Sequence, residues 1–134
     1  MTDISAQHAS LLVDAALDHA TKLGVSCSVS VVDSGAHLLA MKRMDGASLV
    51  TIDASAAKAT TAVYFLNSTA NLVPLIQPGA PLYTLGGSSS REFAFVPGGF
   101  LLVIDGEVRG GIGASGGTPD QDHEIALAAI SATQ

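Results

Sequence analysis

The stretch FLLVIDGEVRGGIGA, residues 100–114, decides the predicted fold. An apolar run over residues 100–104 leads into Asp105-Gly106, a dipeptide typical of two-residue hairpin turns. Residues 107–114 return as the partner strand, and glycines at 110, 111 and 113 mark places where another part of the chain approaches the backbone. The stretch therefore predicts two adjacent antiparallel strands.

A helix with a clear start signal follows this hairpin. Thr118 is a suitable N-cap, Pro119 fits the first helical position, and Gln121 completes a capping box. Acidic side chains suit the positive end of the helix dipole, and here they are Asp120, Asp122 and Glu124.

The N-terminal part of the chain predicts a helix and then another hairpin. Apolar residues recur at helical spacing, with Asp3 or Ser5 as the cap and Gly24 as the stop. Residues 26–44 alternate in strand fashion around the turn Asp33-Ser34-Gly35.

The middle of the chain completes the order of elements. Residues 48–68 predict a long alanine-rich helix, residues 69–77 a short one, residues 78–90 a loop and residues 93–96 a further strand. Hairpins imply an antiparallel sheet, which the helices would cover. We expect a single α/β domain of the α+β type over residues 1–134, with five strands.

Composition excludes several classes of function. The chain has 134 residues, a net charge of −6 and only 4% aromatic residues. The acidic balance argues against nucleic-acid binding, and the chain has neither an apolar run that crosses a bilayer nor a basic amphipathic segment. With no secretory signal at the N-terminus, we expect a cytoplasmic protein. Cys27 is predicted to be a buried, small apolar residue.

Three stretches carry a resemblance to a known family: VVDSGAHLLA at 31–40; RMDGA at 43–47 with KATTA at 58–62; and GGIGASGG at 110–117 with DQD at 120–122. In this order and spacing they resemble the GlcG/HbpS-like family, over roughly residues 4–132. The resemblance implies a profilin-like, three-layer α/β/α fold with a five-stranded antiparallel sheet. It also implies homo-oligomers and small-molecule binding, with haem or a related tetrapyrrole as the best-known ligand. In the family a proline commonly follows the late Gly-Gly, whereas here Phe100 follows Gly98-Gly99.

Arg43, Met44 and Asp45 form the first candidate site. An arginine fork suits a carboxylate or phosphate ligand, and a neighbouring carboxylate could act as a base. The alternative is structural, with Arg43 in an ion pair and Asp45 as a helix cap. We assign Arg43 and Met44 to substrate binding and Asp45 to catalysis.

Lys58 and Asp122 are the other candidate catalytic residues. A buried lysine inside an alanine-rich helix could serve a ligand or act as a base. The alternative is that Lys58 lies at the helix surface or in a subunit contact. The glycine-rich turn before Thr118 exposes backbone N–H groups, which could bind an anion or could only permit close packing. We add four residues to the substrate-binding set: Gly98, Gly99, Ser115 and Gly116. Ser115 lacks the parallel sheet that a nucleophile elbow needs.

The four histidines show no metal-site spacing, so we predict no metal centre. His8 and His19 share a helix face about 16 Å apart, too far to bind one ion. The family resemblance implies that one histidine of this first helix could still be an axial haem ligand.

Three functions remain open at this point. The first is a homo-oligomeric protein that binds a small molecule, with haem possible but no cofactor required. The second is a cofactor-free enzyme doing acid–base chemistry on a small organic acid or carbonyl compound. The third is an accessory oligomeric subunit without a ligand.

Overall fold

In the computed structural model, which describes residues 3–134, four strands form one antiparallel sheet in the order β2-β1-β4-β3. The strands span Ser28–Asp33 (β1), Leu38–Arg43 (β2), Gly99–Ile104 (β3) and Glu107–Ser115 (β4). Both predicted hairpins are confirmed, and their inner strands β1 and β4 pair with each other. Strands β2 and β3 are therefore the edges of the sheet.

The first helix, α1 (Ala6–Leu23), starts and stops as predicted. Oγ of Ser5 accepts a hydrogen bond of 3.0 Å from the backbone N–H of His8, so Ser5 rather than Asp3 is the cap. Gly24 ends the helix in the left-handed conformation, which glycine adopts without a steric penalty.

The middle helices are shorter than predicted. Helix α2 spans Val50–Phe65, and the four-residue α3 spans Thr69–Leu72. A single 3₁₀ turn, Val73–Leu75, follows α3, and Pro74 lies within it. Proline lacks the N–H group that a longer helix would need, which explains why the predicted helix over residues 69–77 is cut short.

The last helix, α4 (Pro119–Ala132), begins with the predicted capping box. The backbone N–H of Gln121 donates to Oγ1 of Thr118 at 3.2 Å, and Oε1 of Gln121 accepts from the backbone N–H of Thr118 at 2.9 Å. Two of the N–H groups at the helix start are thereby satisfied.

The prediction of a fifth strand was wrong, because residues 93–96 form no strand. The backbone N–H of Ala94 donates to Oγ1 of Thr61 on α2, and the ring of Phe93 packs edge-on against Phe65 at 5.1 Å. The alternation of aromatic residues, which resembles a half-buried strand, serves instead to attach this segment to α2.

The elements form three layers, as the family resemblance implies. Helices α1 and α4 pack together on one face of the sheet, and α2 covers the other. Strand β1 shows the alternation: Val29 and Val31 enter the apolar core under α1 and α4, whereas Ser28 and Ser30 hydrogen-bond to hydroxyl groups on α2. The α+β class with an antiparallel sheet is thus confirmed, with four strands instead of five.

Helix α2 lies very close to the sheet because β4 presents glycines to it. A Cβ atom on Gly113 would lie 2.1 Å from the carbonyl oxygen of Ser55, and one on Gly111 would lie 2.7 Å from that of Ala59. No side chain fits at either position. The glycines of β4 therefore set the distance at which α2, and with it Lys58, sits above the sheet.

Candidate functional site

Lys58 and Asp122, both predicted as catalytic, form one buried ion pair. Nζ of Lys58 donates to Oδ2 of Asp122 and to the carbonyl oxygen of Ala114, each at 2.9 Å. Oδ1 of Asp122 accepts from the backbone N–H of Gly117 at 2.8 Å. Both side chains are only 4% exposed. The carboxylate of Asp122 thus lies at the N-terminus of α4, the position where an external anion could otherwise bind.

Gly98 and Gly99, predicted to bind substrate, pack closely against Lys58. A Cβ atom on Gly98 would lie 3.1 Å from Nζ of Lys58 and 2.6 Å from the carbonyl oxygen of Ala114. One on Gly99 would lie 2.4 Å from the carbonyl oxygen of Lys58. The absence of side chains here lets Lys58 reach from α2 past the sheet to Asp122 on α4.

Ser115 and Gly116 lie on the same side of the molecule, where β4 runs into α4. Ser115 ends the strand and is buried, on an antiparallel sheet that provides no nucleophile elbow. Gly116 is exposed, with a φ of 151°, and a Cβ atom there would lie 2.4 Å from the carbonyl oxygen of Ser26. Close packing therefore accounts for Gly116.

Arg43 and Asp45 do not join this cluster. Both are exposed at the end of β2, and their side chains make no hydrogen bond or ion pair with any residue from 3 to 134. Strand β1 lies between Arg43 and Ser115, since Ser28 pairs with each of them. The interpretation of Asp45 as a helix cap was also wrong, because the N-cap position of α2 is Leu49.

Met44 points into the core next to Cys27. Its Sδ atom accepts from the backbone N–H of Cys27 at 3.4 Å and lies 3.8 Å from Sγ. Burial raises the pKa of the Cys27 thiol to about 11; the charge of Asp122 adds to the rise and that of Lys58 opposes it. The thiol is therefore protonated at neutral pH, and the prediction that Cys27 is buried is confirmed.

The structure also contains a groove that the sequence did not reveal, here called the His8 groove. It lies between α1, the C-terminal half of α4 and the β3–β4 hairpin, and its volume is about 390 Å³. Its apolar wall residues are Ile4, Leu12, Leu102, Val103, Ile104 and Ile130. Its polar wall residues are His8, Asp105, Thr133 and Gln134. The walls come from three elements far apart in sequence, so no local motif could have predicted them.

The surroundings of the histidines differ. The imidazole of His8 is half-buried in the groove and makes no hydrogen bond with any described residue. Nε2 of His19 lies 2.6 Å from Oε2 of Glu124. His37 sits in an exposed turn beside Asp33, and His123 packs on the ring of Phe100 at 4.7 Å. His8 is thus the histidine whose imidazole faces an apolar cavity.

Residues 3–134 contain no group of three or more His, Cys, Asp or Glu side chains that could hold a metal ion. Within the same range, no helix is long and apolar enough to span a membrane.

A second, more open groove of about 720 Å³ lies between the outer face of α2 and residues 90–94. Arg91 lines this groove, and its guanidinium group donates a hydrogen bond to the carbonyl oxygen of Ala36.

Comparison with known proteins places the chain in a family. The family model described as "Haem degrading protein HbpS-like" matches residues 4–131. The chain belongs to the HbpS-like family. The resemblance inferred from the sequence motifs is thereby confirmed.

The chain is similar to part of one longer protein and to two solved structures. The corrinoid adenosyltransferase PduO of Salmonella typhimurium is 39% identical over 121 residues, which cover 90% of this chain but only 36% of PduO. A crystal structure described as a PduOC:heme complex is 37% identical, with a TM-score of 0.92 over 97% of this chain and 94% of that one. The protein ORFY of Klebsiella pneumoniae is 31% identical, with a TM-score of 0.95 over 99% and 92%.

Proposed function

We propose that this protein binds haem or a similar tetrapyrrole in the His8 groove, with His8 as the axial ligand. The observation that carries the proposal is an imidazole with no hydrogen-bond partner among the described residues, facing an apolar cavity. The solved complex of a relative with haem supports the choice of ligand.

The groove residues suit such a ligand. The groove lies within the size range of small-molecule sites, and its aliphatic walls match the apolar faces of a macrocycle. Bound haem would supply an iron centre, and histidine is a common axial ligand for it. His8 would bind the iron through a ring nitrogen, while Ile4, Leu12 and Ile130 would exclude water from one side.

Titration with hemin, followed through the Soret band, tests the proposal. We expect a saturable shift for the wild type and its loss or strong weakening in His8→Ala. His19→Ala is the matched control, because His19 is on the same helix but is held by Glu124 outside the groove. An unchanged Soret shift in His8→Ala, or no shift in the wild type, would refute the assignment.

A second candidate is acid–base chemistry at Lys58 and Asp122, since buried ionisable pairs are often found at functional sites. Because both side chains are 4% exposed, substrate access would require Gly98-Gly99 or the start of α4 to move. If Lys58→Met abolished turnover of a small acid or carbonyl substrate while the fold and hemin binding persisted, this second function would be favoured.

We also propose that the protein forms a homo-oligomer. Several large apolar side chains are more than half exposed: Leu11, Leu38, Leu49, Val50, Leu66, Tyr83 and Val103. Single exposed apolar residues are ordinary, so only those that are adjacent support the proposal. Leu49 and Val50 are adjacent at the start of α2 and offer the clearest contact. Native mass spectrometry of the wild type and of Leu49→Gln tests this, and a monomeric wild type would refute it.

A further inference from the structure

Among residues 3–134, none of the side chains that line the His8 groove is a lysine or an arginine. Among its lining side chains the only carboxylate is that of Asp105, and the only nitrogen base is His8. A haem carries two propionate groups, and a carboxylate buried without a cation is strongly disfavoured. The charges around the groove therefore bear directly on how a tetrapyrrole can enter it.

The basic residues of the chain are few and mostly engaged elsewhere. Lys42 pairs with Asp14, Lys58 with Asp122, and Arg91 donates to the carbonyl oxygen of Ala36.

The remaining lysine and one arginine are remote from the groove. Lys22 is on the same helix as His8 but roughly 21 Å further along its axis. Arg43 ends β2, the edge of the sheet opposite to β3.

We infer that the His8 groove takes the apolar edge of the tetrapyrrole and leaves its carboxylates outside, in water. The inference rests on the proposed function and specifies the orientation of its ligand. The carboxylate of Asp105 at the groove wall would repel a buried propionate, and the net charge of −6 acts in the same direction. Recognition therefore depends on the macrocycle and not on its charged groups.

Arg109 would contradict this orientation if its guanidinium group held a propionate. Its carbonyl oxygen accepts from the backbone N–H of Ile4, so it adjoins the groove wall. Its Nε atom is buried without a hydrogen-bond partner among the described residues, 3.7 Å from the carboxylate of Glu107. The guanidinium does not line the groove, so we expect it to take no part in binding.

The test compares hemin with hemin dimethyl ester, whose propionates carry no charge, by Soret titration in one detergent-containing buffer. We expect the two dissociation constants to agree within a small factor and hemin binding not to weaken as NaCl is added, because salt screens only repulsion. Asp105→Asn should tighten hemin binding and leave the ester unaffected; asparagine tolerates the left-handed backbone of this turn.

Two results would overturn this inference and leave the proposed function standing. One is an ester that binds weaker than hemin by about tenfold or more, the effect of losing a charged hydrogen bond. The other is a selective loss of hemin binding in Arg109→Gln with the ester unchanged. If neither ligand binds, or if His8→Ala binds both as the wild type does, the proposed function fails as well.

Discussion

Lys58 and Asp122 meet from opposite faces of the sheet, with Nζ 2.9 Å from Oδ2 and both side chains shielded from water. Each charge is tolerated only because the other is present, together with the carbonyl of Ala114 and the N–H of Gly117. The first prediction tests this dependence.

Lys58→Met should lower the free energy of unfolding by about 3 to 5 kcal/mol, because Asp122 would keep a buried charge without a partner. Urea unfolding measures the effect. Adding Asp122→Leu to Lys58→Met should recover part of the loss. Lys42→Met is the control: its pair with Asp14 is more than half exposed, so its removal should cost about 1 kcal/mol or less. Equal losses in Lys58→Met and Lys42→Met would contradict the argument.

Gly113→Ala should be strongly destabilising. The new methyl group would stand 2.1 Å from the carbonyl oxygen of Ser55, so α2 would have to move away from the sheet. We expect a loss of about 3 kcal/mol or more, at the upper end of overpacking effects. Gly87→Ala is the matched control, because nothing lies within 4 Å of its added Cβ atom. Thermal unfolding of the two variants should separate them clearly, and similar midpoints would count against close packing of α2.

Cys27 should make the protein lose stability in alkali. Its folded pKa, about 11, exceeds the ordinary value of 9.0, so the folded state retains a proton that the unfolded chain releases. Stability is therefore unaffected below pH 9 and falls as the pH rises from 9 to 11. Cys27→Ala lacks this loss, so the stability of the wild type relative to Cys27→Ala should fall over that range. A pH-independent difference between the two proteins would disprove the shift.

Thr118→Ala should destabilise α4 by about 1 kcal/mol, since it removes the hydroxyl that accepts from the N–H of Gln121. Thr118→Ser keeps a capping hydroxyl and should stay close to the wild type. Chemical denaturation of both variants decides the matter. A loss of equal size in the serine variant would mean that the methyl group of Thr118, rather than its hydroxyl, stabilises the helix.

Local signals accounted for most of the fold. The Asp105-Gly106 turn, the capping box of Thr118 and Gln121 and the stop at Gly24 each act over a few residues, and the structure contains all three. Residues 93–96 were mispredicted because alternating aromatic residues suit a strand and a segment attached to a helix equally well.

The candidate site depended on long-range contacts. Lys58 and Asp122 are 64 positions apart, and nothing in the sequence pairs them, although each was chosen separately. Arg43 and Asp45 were predicted as a separate anion site because polar residues near a strand end suit one; within one subunit, β1 lies between Arg43 and Ser115. The groove beside His8 requires three elements at once, so the sequence predicted a histidine of α1 as a possible haem ligand without choosing between His8 and His19, and it predicted no cavity.

The passage of Lys58 beyond the end of the sheet has a consequence for how the domain opens. If α4 detached alone, the ammonium of Lys58 would lose its counter-ion, and the N–H of Gly117 would lose its acceptor. If α2 detached alone, the carboxylate of Asp122 would lose its counter-ion. Local opening of either α2 or α4 therefore costs free energy, because it leaves one charge of the ion pair without its partner. Amide hydrogen exchange in α2 and in α4 should accordingly proceed through one shared, global opening rather than through two independent local ones.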